Sequence, residues 1–259
     1  MIGYLLLGGG PGLCVSYFYK GLSPLMPKKK IIGYQQLGAK GPYGDQALPD
    51  TFSVSDLVEN LRDFIREKED TYGYQLNFIA HSWGAYLALR YAEKYPSDLR
   101  QFLFISPIPF TYKEYADGQS GLVRKMSQQD LEALNAFNLS NDPHGFKTMG
   151  LINSYFAEKP MPKAKNLFYY DSVSDARIMR QVAGYDVRHL AKRLYGKIWY
   201  CVGKKDLLYA ISGQTGESLS QIYDRYAPQN NIKILEDVGH YPFYENQAQT
   251  KQILDAWCH

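Results

Sequence analysis

YQLNFIAHSWGAYLALR, residues 74–90, is the stretch whose reading decides the fold. Leu76, Phe78 and Ile79 make a short apolar run of the kind that forms a buried strand, and Leu87, Leu89 and Tyr91 continue at helical spacing. Ser82 sits at the joint. A nucleophilic serine needs such a sharp turn, which lifts its hydroxyl off the sheet and brings the N–H of the next residue, Trp83, to where a carbonyl oxygen becomes negative. Ala80 and Gly84 put the smallest side chains at the crowded positions on either side. The window is one methyl group away from the G-x-S-x-G nucleophile elbow. On these five residues alone a serine that merely caps a helix is an equal alternative.

Outward from this joint the chain alternates strand and helix signals. Ile2 to Leu7 is an apolar run that ends in Gly8-Gly9-Gly10-Pro11-Gly12, a loop whose backbone N–H groups lie open to a ligand, or else a plain turn. Residues 30–34 give a second strand, and Val54, Leu57, Val58, Leu61, Phe64 and Ile65 a helix. Residues 99–105 form a further strand, stopped by Ser106-Pro107. From residue 110 to about 188 the strand pattern disappears and helix-compatible sequence takes over, with 127–137 the clearest case and a break at 159–163. Strand signals return at 197–202 and 232–235, helix signals at 219–226 and 248–257. Such alternation predicts a parallel sheet with helices on both faces. The expected organisation is one core domain from residues 1–107 and 190–259, with a helical lid at 108–189.

Composition narrows the function classes. A net charge of +3, with basic residues dispersed except for Lys28-Lys29-Lys30, argues against nucleic-acid binding. No stretch approaches a membrane span, and the opening MIGYLLLGGGPG has no basic leader, so it reads as a strand rather than a secretion signal. Cys14, Cys201 and Cys258 have no metal or redox spacing and read as reduced thiols, which places the protein in the cytoplasm. No metal or cofactor is implied, and the oligomeric state is left open.

A serine nucleophile needs a general base, and the base needs a carboxylate to fix its tautomer. Asp206 follows the strand at 197–202 and His240 follows the strand at 232–235, so the order is Ser, Asp, His, each just after a strand. With that order the sequence resembles the α/β-hydrolase superfamily, and within it Gly8-Gly9-Gly10-Pro11-Gly12 and Ser82-Trp83-Gly84 are similar to the glycine loop and nucleophile turn of the proline iminopeptidase group. The resemblance implies Ser82 as nucleophile, His240 as general base and acid, Asp206 as its orienter, and the N–H groups of Gly10 and Trp83 as oxyanion hole. Gly9, Tyr155, Phe156 and Tyr241 are the expected substrate-binding residues. Asp237 reads as a loop residue, His81 as a packing or hydrogen-bonding residue, and His144, His189 and His259 as outside the site.

Three departures accompany the resemblance. Gly8 stands where the family's loop carries histidine, Ala80 replaces a glycine, and the chain begins at what would be the family's third strand. About six strands are expected, with 30–34 at an edge guarded by Pro27 and the following lysines. In the lid, Ile152-Asn153-Ser154-Tyr155-Phe156 aligns with a family segment whose first residue is an amine-binding glutamate. Isoleucine there cannot compensate a buried ammonium; Glu158 and Glu114 are the lid carboxylates that could stand in. The expected substrate is a small, mostly apolar ester or amide. The alternatives are an iminopeptidase-type aminopeptidase, an acyltransferase or thioesterase on the same triad, and a non-catalytic ligand-binding relative.

Overall fold

The computed structural model describes residues 2–98, 100–137, 140–162, 167–209 and 219–258; Leu99, Lys163 and His259 lie outside them. Six strands form one sheet: β1 (Ile2–Leu7), β2 (Ile31–Tyr34), β3 (Gln75–His81), β4 (Phe102–Ile105), β5 (Ile198–Gly203) and β6 (Ile232–Leu235). Their order is β2-β1-β3-β4-β5-β6, and every neighbouring pair is parallel. Strands covered on both faces must be apolar throughout rather than alternating. Leu5, Leu6, Leu7, Phe78, Ile79 and Phe104 accordingly are all fully buried.

From β1 the chain passes through α1 (Ser16–Leu22) to β2 on one side, then through α2 (Val54–Tyr72) to β3 on the other. The carboxyl ends of β1 and β3 therefore flank the point where the winding reverses, which is where open α/β sheets bind ligands. Helix α2 starts from a capping box, with Ser53 Oγ accepting from the N–H of Asp56 and the Asp56 carboxylate accepting from that of Ser53. It ends at Gly73, whose φ of 66° no branched residue would adopt without strain. The next helix, α3 (Trp83–Lys94), packs beside α2.

Between β4 and β5 the chain is helical, as its texture predicts: α4 (Tyr112–Lys125), α5 (Gln128–Ala136), α6 (Phe146–Phe156), α7 (Ser172–Gln181) and α8 (Arg188–Arg193). After β5 come α9 (Leu219–Tyr223), β6, α10 (Pro242–Glu245) and α11 (Gln247–Trp257). α8 packs on α3, while α1 packs on α10, so the helices fall into groups about the sheet. Among the described residues no helix is long and apolar enough to cross a membrane.

Two boundaries differ from the sequence reading by three residues, the others by about one. β4 starts at Phe102 rather than 99 because Arg100 turns inward, buried against the carboxylates of Glu69 and Asp98 at 2.7 and 2.8 Å. α9 stops at Tyr223, where the Tyr226 N–H closes a tight turn onto the Tyr223 carbonyl at 2.8 Å. β2 is a sheet edge as expected, and no strand pairs beyond it among the described residues. Ile31 and Ile32 are half-buried there, with Lys28, Lys29 and Lys30 exposed just before them.

Candidate active site

Ser82 alone separates β3 from α3, and its backbone takes φ 52° and ψ −120°. A side chain other than glycine adopts a positive φ only where the surroundings enforce it. Here they do: the Ser82 N–H donates to the Ile105 carbonyl, and its own carbonyl accepts from Ile108 and Ala85. Gly84 is obligatory, because a Cβ on it would stand 2.3 Å from the Leu7 carbonyl oxygen. Ala80 is fully buried in register with Leu7 and Phe104, where one methyl group fits.

Asp206 and His240 come from the loops after β5 and β6 and are 2% and 4% exposed, although both are strongly polar. Their burial is compensated by pairing: His240 Nδ1 lies 2.7 Å from Asp206 Oδ2, and Asp206 Oδ1 accepts the Leu208 N–H at 3.0 Å. A carboxylate only accepts, so Nδ1 carries the proton and Nε2 keeps its lone pair. A second buried carboxylate, Glu245 on α10, accepts the N–H groups of Gly239 and Tyr241, on either side of His240, at 2.8 and 2.9 Å. It also accepts those of Glu158 and Lys159, just past α6. The His240 N–H donates to the Phe156 carbonyl at 2.9 Å. The His240 loop and the end of α6 are thereby one hydrogen-bonded unit. The rival candidates stand away: Asp237, His144 and His189 are exposed.

The glycine loop has no side chain at Gly8, yet it is tied down. Tyr17 Oη accepts the Gly9 N–H at 2.6 Å, and Gln36 Nε2 donates to the carbonyls of Gly9 and Leu13. Gln36 Oε1 in turn accepts Trp83 Nε1–H at 3.0 Å, which links the loop to the elbow. Trp83 is the first residue of α3, so its backbone N–H has no partner inside the helix and sits at the positive end of the helix dipole.

Ser82, His240, Gly10 and Tyr241 line one cavity of about 150 Å³, roofed by Met149, Ile152 and Phe156 of α6. That is the size at which an apolar protein cavity accommodates benzene. Ile152, which the resemblance sets against an amine-binding glutamate, lies in this roof. Two expected substrate contacts are not in the lining. Tyr155 is carried to the other side of α6, one residue short of the turn that brings Phe156 under Ile152. Its hydroxyl donates to Asp130 at 2.5 Å and accepts from the Ser127 N–H. Gly9 lies behind the wall, with its N–H and carbonyl taken by Tyr17 and Gln36. A larger cavity of about 890 Å³ borders the far side of α6, at Lys147, Asn153 and Met161, but neither Ser82 nor His240 reaches it.

An acidic lining residue escaped the sequence reading. Asp175 on α7 faces the same cavity, beside Tyr115, Tyr170 and Gln119. Burial pushes its carboxyl up to about 7, opposed only by a hydrogen bond from Tyr170, and no basic side chain is paired with it among the described residues. Only an alignment or a structure places α7 over the elbow. The glutamates considered for such a role are occupied elsewhere: Glu114 closes the cap of α4 with Thr111, and Glu158 lines the outer cavity.

Residues 5–252 match the model of a family described as the alpha/beta hydrolase family. The chain is 23% identical to a proline iminopeptidase of Lactobacillus delbrueckii subsp. bulgaricus, over 98% of this chain and 88% of that protein. It is 30% identical over 157 residues to a proline iminopeptidase of Chitinophaga pinensis, covering 59% of this chain and 50% of that one. Among solved structures, a proline iminopeptidase-related protein from Thermus thermophilus superposes with a TM-score of 0.64 at 16% identity, over 99% of this chain and 88% of that one. A thermophilic esterase from Thermogutta terrifontis does so with a TM-score of 0.64 at 17% identity, over 100% and 89%. At these identities the structural likeness speaks to the fold alone.

Proposed function

The chain belongs to the α/β-hydrolase family, and from that premise we propose that it is a serine hydrolase acting through an acyl-enzyme on Ser82. The observation that carries this reading is the buried Asp206–His240 pair at 2.7 Å, whose imidazole opens into the cavity that Ser82 lines at its strained turn. Ser82 Oγ attacks the substrate carbonyl carbon while its proton passes to His240 Nε2, and the N–H groups of Gly10 and Trp83 receive the oxyanion. Collapse breaks the bond to the leaving alcohol or amine, which takes the proton from His240. Water, deprotonated by His240, then splits the acyl-serine and releases the acid. Asp206 keeps the imidazole in the right tautomer and stabilises its charged form. The helices of residues 108–189 serve as the lid that sets substrate size. The small cavity and its apolar roof favour a small, mostly apolar ester or amide.

Asp175 favours a second reading, an aminopeptidase of the kind named among the relatives. A carboxyl in the cavity without a basic partner complements a substrate ammonium, the role that Ile152 cannot fill. Both readings are tested together with chromogenic acyl esters beside amino-acid anilides, and an organophosphonate probe. Turnover and labelling that vanish in Ser82→Ala support the hydrolase, and the preferred substrate separates the two readings. Turnover that survives in Ser82→Ala overturns both.

A further inference from the structure

His81 directly precedes Ser82, is 1% exposed, and hydrogen-bonds to neither Asp206 nor Ser82 among the described contacts. Its ring instead bridges two other segments. Nδ1 lies 2.7 Å from the hydroxyl of Tyr17, which accepts the Gly9 N–H at 2.6 Å, and Nε2 lies 2.9 Å from the carbonyl oxygen of His240. The three groups meet over Gly9, where a Cβ would stand 2.8 Å from the Tyr17 hydroxyl, 3.2 Å from His81 Nδ1 and 3.2 Å from Ser82 Cβ.

The protons are fixed from the two ends inward. A backbone N–H only donates and a backbone carbonyl only accepts. Gly9 therefore donates to the tyrosine oxygen, the tyrosine donates its own proton to Nδ1, and His81 is the Nε2–H tautomer donating to the His240 carbonyl. A proton on Nδ1 instead would leave the Nε2 lone pair facing the carbonyl lone pairs at 2.9 Å. Burial, and His240 with its ring 4.7 Å away, hold His81 far below the ordinary histidine range. It stays neutral while its neighbour takes and returns a proton.

We propose that Tyr17 and His81 are positioning residues that hold the oxyanion loop and the backbone of the general base in register on either side of Ser82. The assignment rests on the serine-hydrolase reading above. Three hydrogen bonds in series join the residue next to Gly10 to the residue that carries the base, and they pass directly behind the nucleophile. A series link fails as a whole when any member is cut, and a small displacement between nucleophile, base and oxyanion donors is costly in rate.

The test uses Tyr17→Phe, His81→Phe, His81→Gln and the Tyr17→Phe/His81→Phe double variant, on an ester for which Ser82-dependent turnover has been measured. Each single phenylalanine variant is expected to lose roughly 10- to 100-fold in kcat with KM within about threefold. The double variant should be no slower than the worse single one, because both cut the same link. His81→Gln, whose amide offers both an acceptor and a donor, should recover to within about fivefold of wild type. Losses that multiply in the double variant, or a glutamine no better than phenylalanine, would overturn the proposal. Nitrogen-15 NMR of the wild-type imidazoles provides a readout independent of turnover: His81 should remain a neutral Nε2–H ring from about pH 5 to 8. An Nδ1–H or charged ring would overturn the link itself. A wild type without Ser82-dependent turnover would overturn the hydrolase reading and the positioning role with it, even where the tautomer is as assigned.

Discussion

Asp206 Oδ2 stands 2.7 Å from His240 Nδ1, with both residues all but inaccessible to solvent. This contact puts the imidazole proton on Nδ1 and leaves Nε2 as the nitrogen open to the proposed role of base. Asp206→Asn keeps the shape but offers a donor where an acceptor is needed, so the imidazole turns its proton toward the serine. Ester turnover is expected to fall on the order of a thousandfold or more in kcat, with KM little changed. Steady-state kinetics on the ester panel check it.

Glu245 collects backbone N–H groups from Gly239, Tyr241, Glu158 and Lys159 on one carboxylate. Glu245→Gln puts an amide NH₂ against some of these donors. Since hydrogen bonds to a charged group are the stronger kind, the variant should lose about 2–4 kcal/mol of stability in urea unfolding, and kcat should fall with it. A change confined to stability would show that the base loop keeps its place without this carboxylate.

Asp175 gives stability a pH dependence of unusual sign. Its carboxyl titrates at about 7 in the fold against 3.8 ordinarily, so in between the unfolded chain has released a proton that the folded chain still holds. Stability is therefore lost as pH rises through that window. Asp175→Asn removes the loss, and its melting temperature should gain on that of wild type progressively from pH 4 to above 7. Melts at a series of pH values decide it. On the aminopeptidase reading the same variant loses anilide turnover and keeps ester turnover.

Gly84→Ala places a methyl group 2.3 Å from the Leu7 carbonyl oxygen, a backbone atom that cannot rotate away. A cost of about 3 kcal/mol or more is expected, beyond ordinary overpacking. Ala80→Gly, two residues before the serine, should cost only about 1 kcal/mol as a strand interior change. Denaturant titration of the two variants compares the two sides of the elbow.

The sheet and the elbow were legible because their signals are local. Phe78 and Ile79 must be apolar to be buried on both faces, and the small residues around Ser82 mark a turn that larger ones would block. The order Ser82, Asp206, His240 was readable because each follows a strand. α1 was not, since Ser16, Tyr17, Phe18, Gly21 and Leu22 are all buried and leave no polar face to give a period. Gln36 reaches Gly9 and Trp83, Glu245 reaches Glu158 and Lys159, and Asp175 meets Ser82 only at the cavity, all across long stretches of chain that spacing does not encode. Tyr155 shows the finer limit: one step along a helix rotates a side chain by about 100°, enough to turn an expected substrate contact toward Asp130.

The union of Phe156 and the base loop makes one end of α6 a fulcrum. If the roof opens by swinging about that corner, the Phe146 end travels farthest and must part from the 169–170 segment, where the Tyr170 N–H donates to the His144 carbonyl at 2.8 Å and the Phe146 ring stands 4.8 Å from that of Tyr169. Eleven residues make a lever of roughly 16 Å, so a tilt of about ten degrees moves the tip by about 3 Å while His240 stays still. Such a swing would widen the cavity from the Met149 side and leave the contact between Asp206 and His240 in place.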